Sequence, residues 1–468
     1  MTTDDVCKPS AEVLRMRECW EKIDALIGGT YGMRKAGPSF MPLRPDEAQD
    51  AYSYRLKTTT LFNAFGRTIN GLSAKPFEEP LEYTNIPAII EKWFENVDLA
   101  GRNLDVFAKE WFKSALTYGV SYVLVDYPEV TDARTVADEK KIGARPYLVH
   151  ISPHQILGWK SEKIQGVQTL TQVRIKECVE EDDGPFSVKS LEQVRVLYRD
   201  KWEVYRQSQD AQGRRTWMLY KTGKNSIQRI PLVAYYTGRV GFMTGRPPLE
   251  DLADLNVAHW VSNSYQTAIL DTARVPILFM TGFQKTPDEG HPKISVGAGA
   301  AMFADHPDAK LTYVEHSGAA IESGRQSLQD IEEQMRLLGA ELLVKKPGSM
   351  TATQASLDTS QQQSELSAYA EQLGDAMDEV VQIMAEWARI PVTGNVKVYN
   401  DFGVASIDAA TEVLLLNAAT ERKISDETLF NELRRRGTIS QDLDWQDEKL
   451  KIASQPKPET TQATPITE

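Results

Sequence analysis

The sequence predicts an α+β fold, and three observations predict it. Helical periodicity marks residues 11–27, 51–72 and 104–118. Alternating, β-branched and aromatic segments fill the stretch from about 120 to 240. Three long amphipathic segments, 248–273, 318–344 and 353–389, then dominate the second half.

Each element follows from its residues. "AEVLRMRECWEKIDALI" (11–27) is helical and stops at Gly28-Gly29. "LDVFAKEWFKSALTY" (104–118) ends at Gly119, and "VSYVLVDYP" after it has the composition of a buried strand. "RPYLVHISP", "TLTQVRIKECV", "EQVRVLYRDKWEVYRQ" and "TWMLYKTG" alternate between turns. Among those turns "EEDDGP" (180–185) carries an Asp-Gly pair and reads as a solvated hairpin turn rather than a metal site. The helix over 248–273 opens on Pro248 and places Leu249, Leu252, Leu255, Ala258 and Val261 on one stripe. Short strands and turns fill 275–316. Over 318–344, Ile321, Leu328, Ile331, Met335, Leu338 and Leu342 form a narrow packing seam. The helix over about 353–389 begins polar and then carries Leu366, Ala370, Leu373, Met377, Val380, Met384 and Trp387, with Gly374 as a candidate kink. "NVKVYNDF" (395–402) is a short strand. Helices follow over 407–422 and 425–436, the second with Ser425 as N-cap. The last residues, "QPKPETTQATPITE", are Pro/Thr-rich and predict a disordered tail.

The totals exclude several classes. With 468 residues, the chain suffices for two or three domains or one extended protomer of several parts. A formal net charge of −13 argues against a protein that grips nucleic acid over its whole surface. Three scattered cysteines fit neither a disulfide framework nor a zinc site, which favours a reducing compartment. No secretory signal opens the chain, and no apolar run reaches the roughly 18 residues of a membrane span, so a soluble protein is expected.

A search for chemistry finds no catalytic apparatus, and no cofactor or metal is expected. Gly66–Ser73, "GRTINGLS", has glycines at phosphate-loop spacing, but Leu72 stands where a lysine must be. "GAGAAM" from Gly297 lacks the last glycine of a dinucleotide loop, and "GVSYV" (119–123) lacks the second glycine of a nucleophile elbow. His150 and His154 lie four apart in strand-like sequence broken by Pro153, with no carboxylate between them. His259, beside Trp260, reads as a packed helix residue.

What remains is an order of elements. "DLADLNVAHWVSNS" followed by "VPILFMTGF", then "SGAAIESGRQSLQDIEEQMRLLGAELL" and "TATQASLDTSQQQSELSAYAEQL", resemble the successive parts of bacteriophage portal proteins. More narrowly, they resemble a podovirus-like head-to-tail connector family, often described only as a domain of unknown function. "ALTYGVSYVLVDYP" resembles its wing passage from helix to strand, and the resemblance runs from about 50 to 440. It implies a mixed α/β wing (1–247), a first stem helix (248–274), a small β-containing clip (275–316) and a second stem helix (317–344). A tunnel loop (345–352), a long spine helix (353–390), a wing return strand (391–406), helical crown (407–454) and tail (455–468) complete it.

The resemblance also implies a homo-oligomeric ring, usually a dodecamer, at one capsid vertex of the virion, assembled in the host cytoplasm and without a membrane. Double-stranded DNA passes through it without sequence readout. The implied partners are the terminase large subunit, head–tail adaptor proteins, the major capsid protein and a scaffold protein. Residue by residue, it places Lys345, Lys346, Pro347, Gly348, Ser349 and Thr351 in the channel. It gives Gln284, Lys285, Asp288, Glu289, His291 and Lys293 to a partner surface on the clip, and Arg434, Arg435 and Arg436 to a DNA contact in the crown. Cations at a helix C-terminus are also favoured there by the helix dipole alone, so the lysines fit both accounts. Two other readings fit the residues: an α+β enzyme with an unfamiliar site, and an adaptor that self-associates through its helical hairpin.

Overall fold

The computed structural model describes residues 3–128, 144–209, 215–274, 277–281, 308, 310–314, 318–343, 364–400, 402, 419–420, 423–435, 439 and 443–454. It divides into two units, Met1–Leu342 with Ala368–Tyr399, and Leu343–Ser367 with Asn400–Glu468.

The first unit opens on helix α1 (Ala11–Ile27), whose N-cap Ser10 accepts a hydrogen bond from the Val13 N–H. Its apolar stripe buries Val13, Met16, Trp20, Ile23 and Leu26. Helix α2 (Gly29–Ala36) follows directly.

The single helix expected over 51–72 is two helices, α3 (Gln49–Thr58) and α4 (Ala64–Ala74). Local chemistry explains the break. Thr58 and Thr59 turn their hydroxyls back onto the Tyr54 and Arg55 carbonyls, and Thr59 is extended. Asn63 then caps α4 by accepting from the Gly66 N–H at 2.9 Å. The glycine pair that mimics a phosphate loop therefore lies within a helix.

Strand β1 (Glu82–Thr84) and helix α5 (Ala88–Trp93) lead to α6 (Leu104–Tyr118), capped at one end by Asn103 and closed at the other by Gly119 at φ +84°. The chain then becomes β-rich. Its strands are β2 (Val120–Asp126), β3 (Tyr147–Ile151), β4 (Ile156–Ile164), β5 (Val167–Asp182), β6 (Val188–Tyr198), β7 (Lys201–Gln209), β8 (Arg215–Lys224) and β9 (Leu232–Tyr236). A small hairpin, β10 (Arg239–Gly241) and β11 (Thr244–Gly245), closes the region.

Two antiparallel sheets result. One has the order β3-β2-β9 and the other β4-β5-β6-β7-β8. Strand β2 is buried on both faces, which is why its sequence is continuously apolar rather than alternating. The main core lies where Val13, Met16 and Trp20 of α1 meet Val120, Tyr122 and Leu124 of β2 and Val173 and Ile175 of β5. "EEDDGP" forms the β5–β6 hairpin turn, with Gly184 at φ +95° and Asp183 N donating to Ser187 O.

Helix α7 (Glu250–Ala273) leads to the antiparallel pair β12 (Ile277–Thr281) and β13 (Lys310–Val314), and α8 (Ala319–Glu341) follows. Helix α9 (Glu365–Ala388) comes next, and β14 (Asn395–Lys397) returns to pair with β1. The long helix was expected from about 353. Residues 353–363 lie outside the described ones; the described part runs from Glu365, with the Ser364 hydroxyl accepting from the Ser367 N–H. Gly374, expected as a kink, lies within one continuous helix. A Cβ there would stand 3.1 Å from the Val396 carbonyl oxygen, so the glycine serves the close approach of β14.

In the second unit, α10 (Asp426–Arg435) begins at Ser425, whose hydroxyl accepts from the Thr428 N–H as the sequence predicts. Helix α11 (Trp445–Ser454) packs Trp445 against Phe430 at 5.3 Å. Most of the expected helix over 407–422, and the tail over 455–468, lie outside the described residues.

Candidate functional site

The contiguous block from α7 to α9 is the candidate functional region. Its first requirement is a fixed base. Three glycines supply one by letting backbones touch. A Cβ on Gly119 would lie 2.3 Å from the Arg246 carbonyl, one on Gly238 2.0 Å from the same oxygen, and one on Gly245 2.4 Å from the Gly119 oxygen. The Gly119 carbonyl accepts from both Thr237 N and Gly238 N at 3.1 Å, and Arg246 N donates to Gly238 O. Four residues later α7 begins. Lys22 of α1 bridges Glu250 and Asp254 of its first turns at 3.0 and 2.6 Å. Burial raises the Glu250 carboxyl pKa, but hydrogen bonds from Arg246 and Lys22 outweigh this and hold it below its ordinary range.

Helix α7 buries the expected stripe only in part. Leu249 and Leu252 are buried, Leu255 and Val261 are half-buried, and Ala258 is exposed. Its inner face instead carries Asn256, His259, Ser264 and Gln266 beside Ala253 and Trp260. Each of the four polar side chains has at least one partner, although His259 Nδ1 and Trp260 Nε1 are buried without one. Asn256 accepts from Phe65 N at 2.9 Å and donates to the Phe62 carbonyl at 2.8 Å. His259 Nε2 faces Glu332 of α8 at 3.1 Å, and Gln266 donates to the Ile321 carbonyl at 2.9 Å. The hydroxyl of Ser264 accepts from Arg55 at 2.9 Å. A hydrophobic stripe search cannot find such a face, because its burial rests on hydrogen bonds.

Arg55 is the centre of this network. It is 3% exposed, and its partner Glu47 is 8% exposed. Two guanidinium nitrogens reach the two oxygens of Glu47 at 2.8 and 2.7 Å, and one also reaches the Pro42 carbonyl. The Arg55 hydrogen bond holds the Glu47 carboxyl below its ordinary range. A cleft of about 500 Å³ opens beside this pair, lined by Arg44, Ala48, Ala51 and Tyr54 among others.

Helix α8 packs its predicted seam. Met335 and Leu342 are buried, Ile321, Leu328, Ile331 and Leu338 are half-buried, and almost every other described side chain faces solvent. Two glycines let neighbours close in: a Cβ on Gly324 would strike Gln266 at 2.1 Å, and one on Gly339 would press on Thr68.

The charges are segregated. Helix α7 has four carboxylates and neither Lys nor Arg, and α9 has six and neither. Helix α8 has five carboxylates and two arginines, each paired three residues away, Arg325 with Glu322 and Arg336 with Glu333. The lysines of the block lie between or after the helices.

Most of the individually predicted residues fall outside the described ones. These are Gln284, Lys285, Asp288, Glu289, His291 and Lys293, then Lys345, Lys346, Pro347, Gly348, Ser349 and Thr351, and Arg436. Arg434 lies on α10, half-buried, and donates to the Leu443 carbonyl at 3.3 Å, which ties α10 to the start of α11. Arg435 is the last residue of α10.

The structure also separates the histidine pair. His154 meets Asp24 of α1 at 3.1 Å, whereas the His150 imidazole lies 2.9 Å from the Ser121 hydroxyl. That Ser–His distance suits a nucleophile and its base, and the sequence search missed it because the partners are 29 residues apart on neighbouring strands. Ser121, however, is fully buried, so no substrate reaches it in this state. Burial lowers the His150 pKa. Among the described residues no group of three or more His, Cys, Asp or Glu is placed to hold a metal ion, and no helix is long and apolar enough to cross a membrane.

Comparison with known proteins gives one family. A family described as a domain of unknown function (DUF4055) matches residues 248–388, from the approach to α7 to the end of α9. No curated protein sequence matches the chain. Solved structures similar to it include a chain of the virion of a native gene transfer agent particle, at 12% identity and TM-score 0.39, over 90% of this chain and 99% of that one. A chain from the neck of the empty particle, computed with C6 symmetry, is similar at 12% identity and TM-score 0.40 over 90% and 98%. One from the neck of the native particle, computed with C12 symmetry, matches at 12% and 0.39 over 84% and 94%.

Proposed function

We propose that this chain is a phage portal protomer. It assembles into a ring of identical copies, twelve in the expected form, at one capsid vertex of the virion. Double-stranded DNA passes through the ring during packaging and ejection. The terminase large subunit docks during filling and head–tail adaptor proteins dock afterwards, and the surrounding shell supplies the capsid and scaffold contacts. The chain works without catalysis of its own.

One observation carries this reading: among the described residues a long helix, a strand pair, a second long helix and a third long helix follow one another, and the sequence between the second and third carries a basic pair. The family match begins and ends with that same block. In the proposed ring α7 and α8 are the stem, residues 275–316 the clip and α9 the spine. The charge segregation supports it physically. These helices bear fifteen carboxylates. Glu250 and Asp254 are matched by Lys22 and Arg246, Glu379 and Glu386 by Arg229, and Glu322 and Glu333 by the helices' own arginines. The remaining net negative charge repels a phosphate backbone, which allows sliding. Lys345 and Lys346 then form the one basic ring between stem and spine, able to touch phosphates without reading bases. Gln284, Lys285, Asp288, Glu289, His291 and Lys293 present the docking surface on the clip. Arg435 and Arg436, with Arg434 beside them, belong to the crown.

The test is the double substitution Lys345→Glu and Lys346→Glu. Assembly should be unchanged, while packaged DNA length or its retention falls. Normal packaging and a normal virion half-life in that variant would remove the channel role from these lysines.

A further inference from the structure

The ribbon formed by β5 and β6 outruns its sheet. Strand β4 leaves β5 at the Ile156–Ile175 pair, and β7 leaves β6 at the Gln193–Arg206 pair. Beyond those points β5 and β6 pair only with each other, up to Asp182 and Val188. Residues 180–190 are all exposed. A two-stranded ribbon alone in water is marginally stable, so one this long gains from a partner. Phe186 at its tip is 100% exposed, and Val188 beside it is also exposed. The ribbon is nonetheless aimed: Arg206 of β7 reaches Glu181 at 2.5 Å and stacks on Tyr220 at 3.9 Å.

The ribbon is also acidic. Glu177, Glu180, Glu181, Asp182, Asp183 and Glu192 outnumber Lys176 and Lys189, and Lys176 is paired with Glu192 at 2.7 Å, so the excess of negative charge sits at the tip. The opposite edge of the same sheet is its complement. Strand β8 is last in the strand order, contains no carboxylate, and carries Lys221 and Lys224. Met218, Leu219 and Tyr220 on it are 55%, 52% and 59% exposed. One surface is acidic with an aromatic knob; the other is basic with an apolar centre.

We propose that the β5–β6 ribbon of one copy docks along the β8 edge of a second copy of this chain. The knob and the receiving edge are different surfaces of one chain, so the contact is head-to-tail and repeats until a ring closes. Opposite charges on facing strands and main-chain pairing at an exposed edge are the chemistry that sets such a register. Lysines on an edge strand also serve simply to prevent pairing, which is the outcome the test must separate. The inference rests on the ring reading above, and names the contact that would build it.

The experiment mixes unlabelled and ¹⁵N-labelled full-length chains and treats them with a zero-length carbodiimide linker. Mixed-isotope links are expected between Glu180, Asp182 or Asp183 and Lys221 or Lys224. A variant with residues 179–191 replaced by a two-residue Asn-Gly turn should need about tenfold more protein to assemble. Rings without mixed links, or a shortened variant that assembles at the wild-type concentration, overturn the arm and leave the portal reading standing. Mixed links in open oligomers that never close support the arm and sink the portal reading. Monomers without mixed links overturn both.

Discussion

Arg55 illustrates how single residues hold the candidate region in place. It stands between α3 and α7, and its charge is matched by Glu47, a carbonyl and a serine. Removing one partner of such a buried pair leaves the other charge unmatched, so Arg55→Ala should cost about 3–5 kcal/mol in a denaturant unfolding measurement. The pH dependence follows from Glu47, whose carboxyl is held below its ordinary range. A lowered folded-state pKa contributes stability above the unfolded carboxyl range and loses it as pH falls through the folded value. Acid unfolding of the wild type should therefore steepen below about pH 4.5, and Glu47→Gln should flatten that part of the profile. The glycines make a paired prediction. Gly245→Ala meets the Gly119 carbonyl and should cost about 3 kcal/mol. Gly71→Ala, in α4 with open space around it, should instead stabilise by about 0.5–1 kcal/mol. Thermal unfolding of the two variants checks both signs.

At the scale of elements, legibility tracked the kind of force involved. The α8 seam was readable because only apolar burial made it, and its spacing survives in the structure. The α7 face is only partly legible, because Asn256, His259, Ser264 and Gln266 are buried through hydrogen bonds to α3, α4, α8 and the loop before α4. The break between α3 and α4 was missed for a related reason: threonines and Asn63 redirect backbone groups without changing the apolar rhythm. The Ser–His contact in the β2–β3 pair depends on strand register, which composition does not record. Asn256→Ala leaves Phe65 N–H and Phe62 C=O without their partner and should cost about 3 kcal/mol, whereas Ala258→Ser on the exposed face should be within about 0.5 kcal/mol of neutral. Chemical denaturation of both variants compares them directly.

For the whole molecule, the proposed function depends on copies of the chain meeting around an axis. In that proposal the net negative charge of α7, α8 and α9, the basic pair Lys345–Lys346 and the acidic β5–β6 ribbon each meet their counterpart in a neighbouring copy or in the DNA. Charge contacts between copies should weaken with salt, so assembly should be slower at high than at low ionic strength. The most direct measurement is an image of the purified assembly viewed from above. A closed ring of identical subunits around a central opening wide enough for duplex DNA is expected. Monomers or dimers under every assembly condition tried would contradict it.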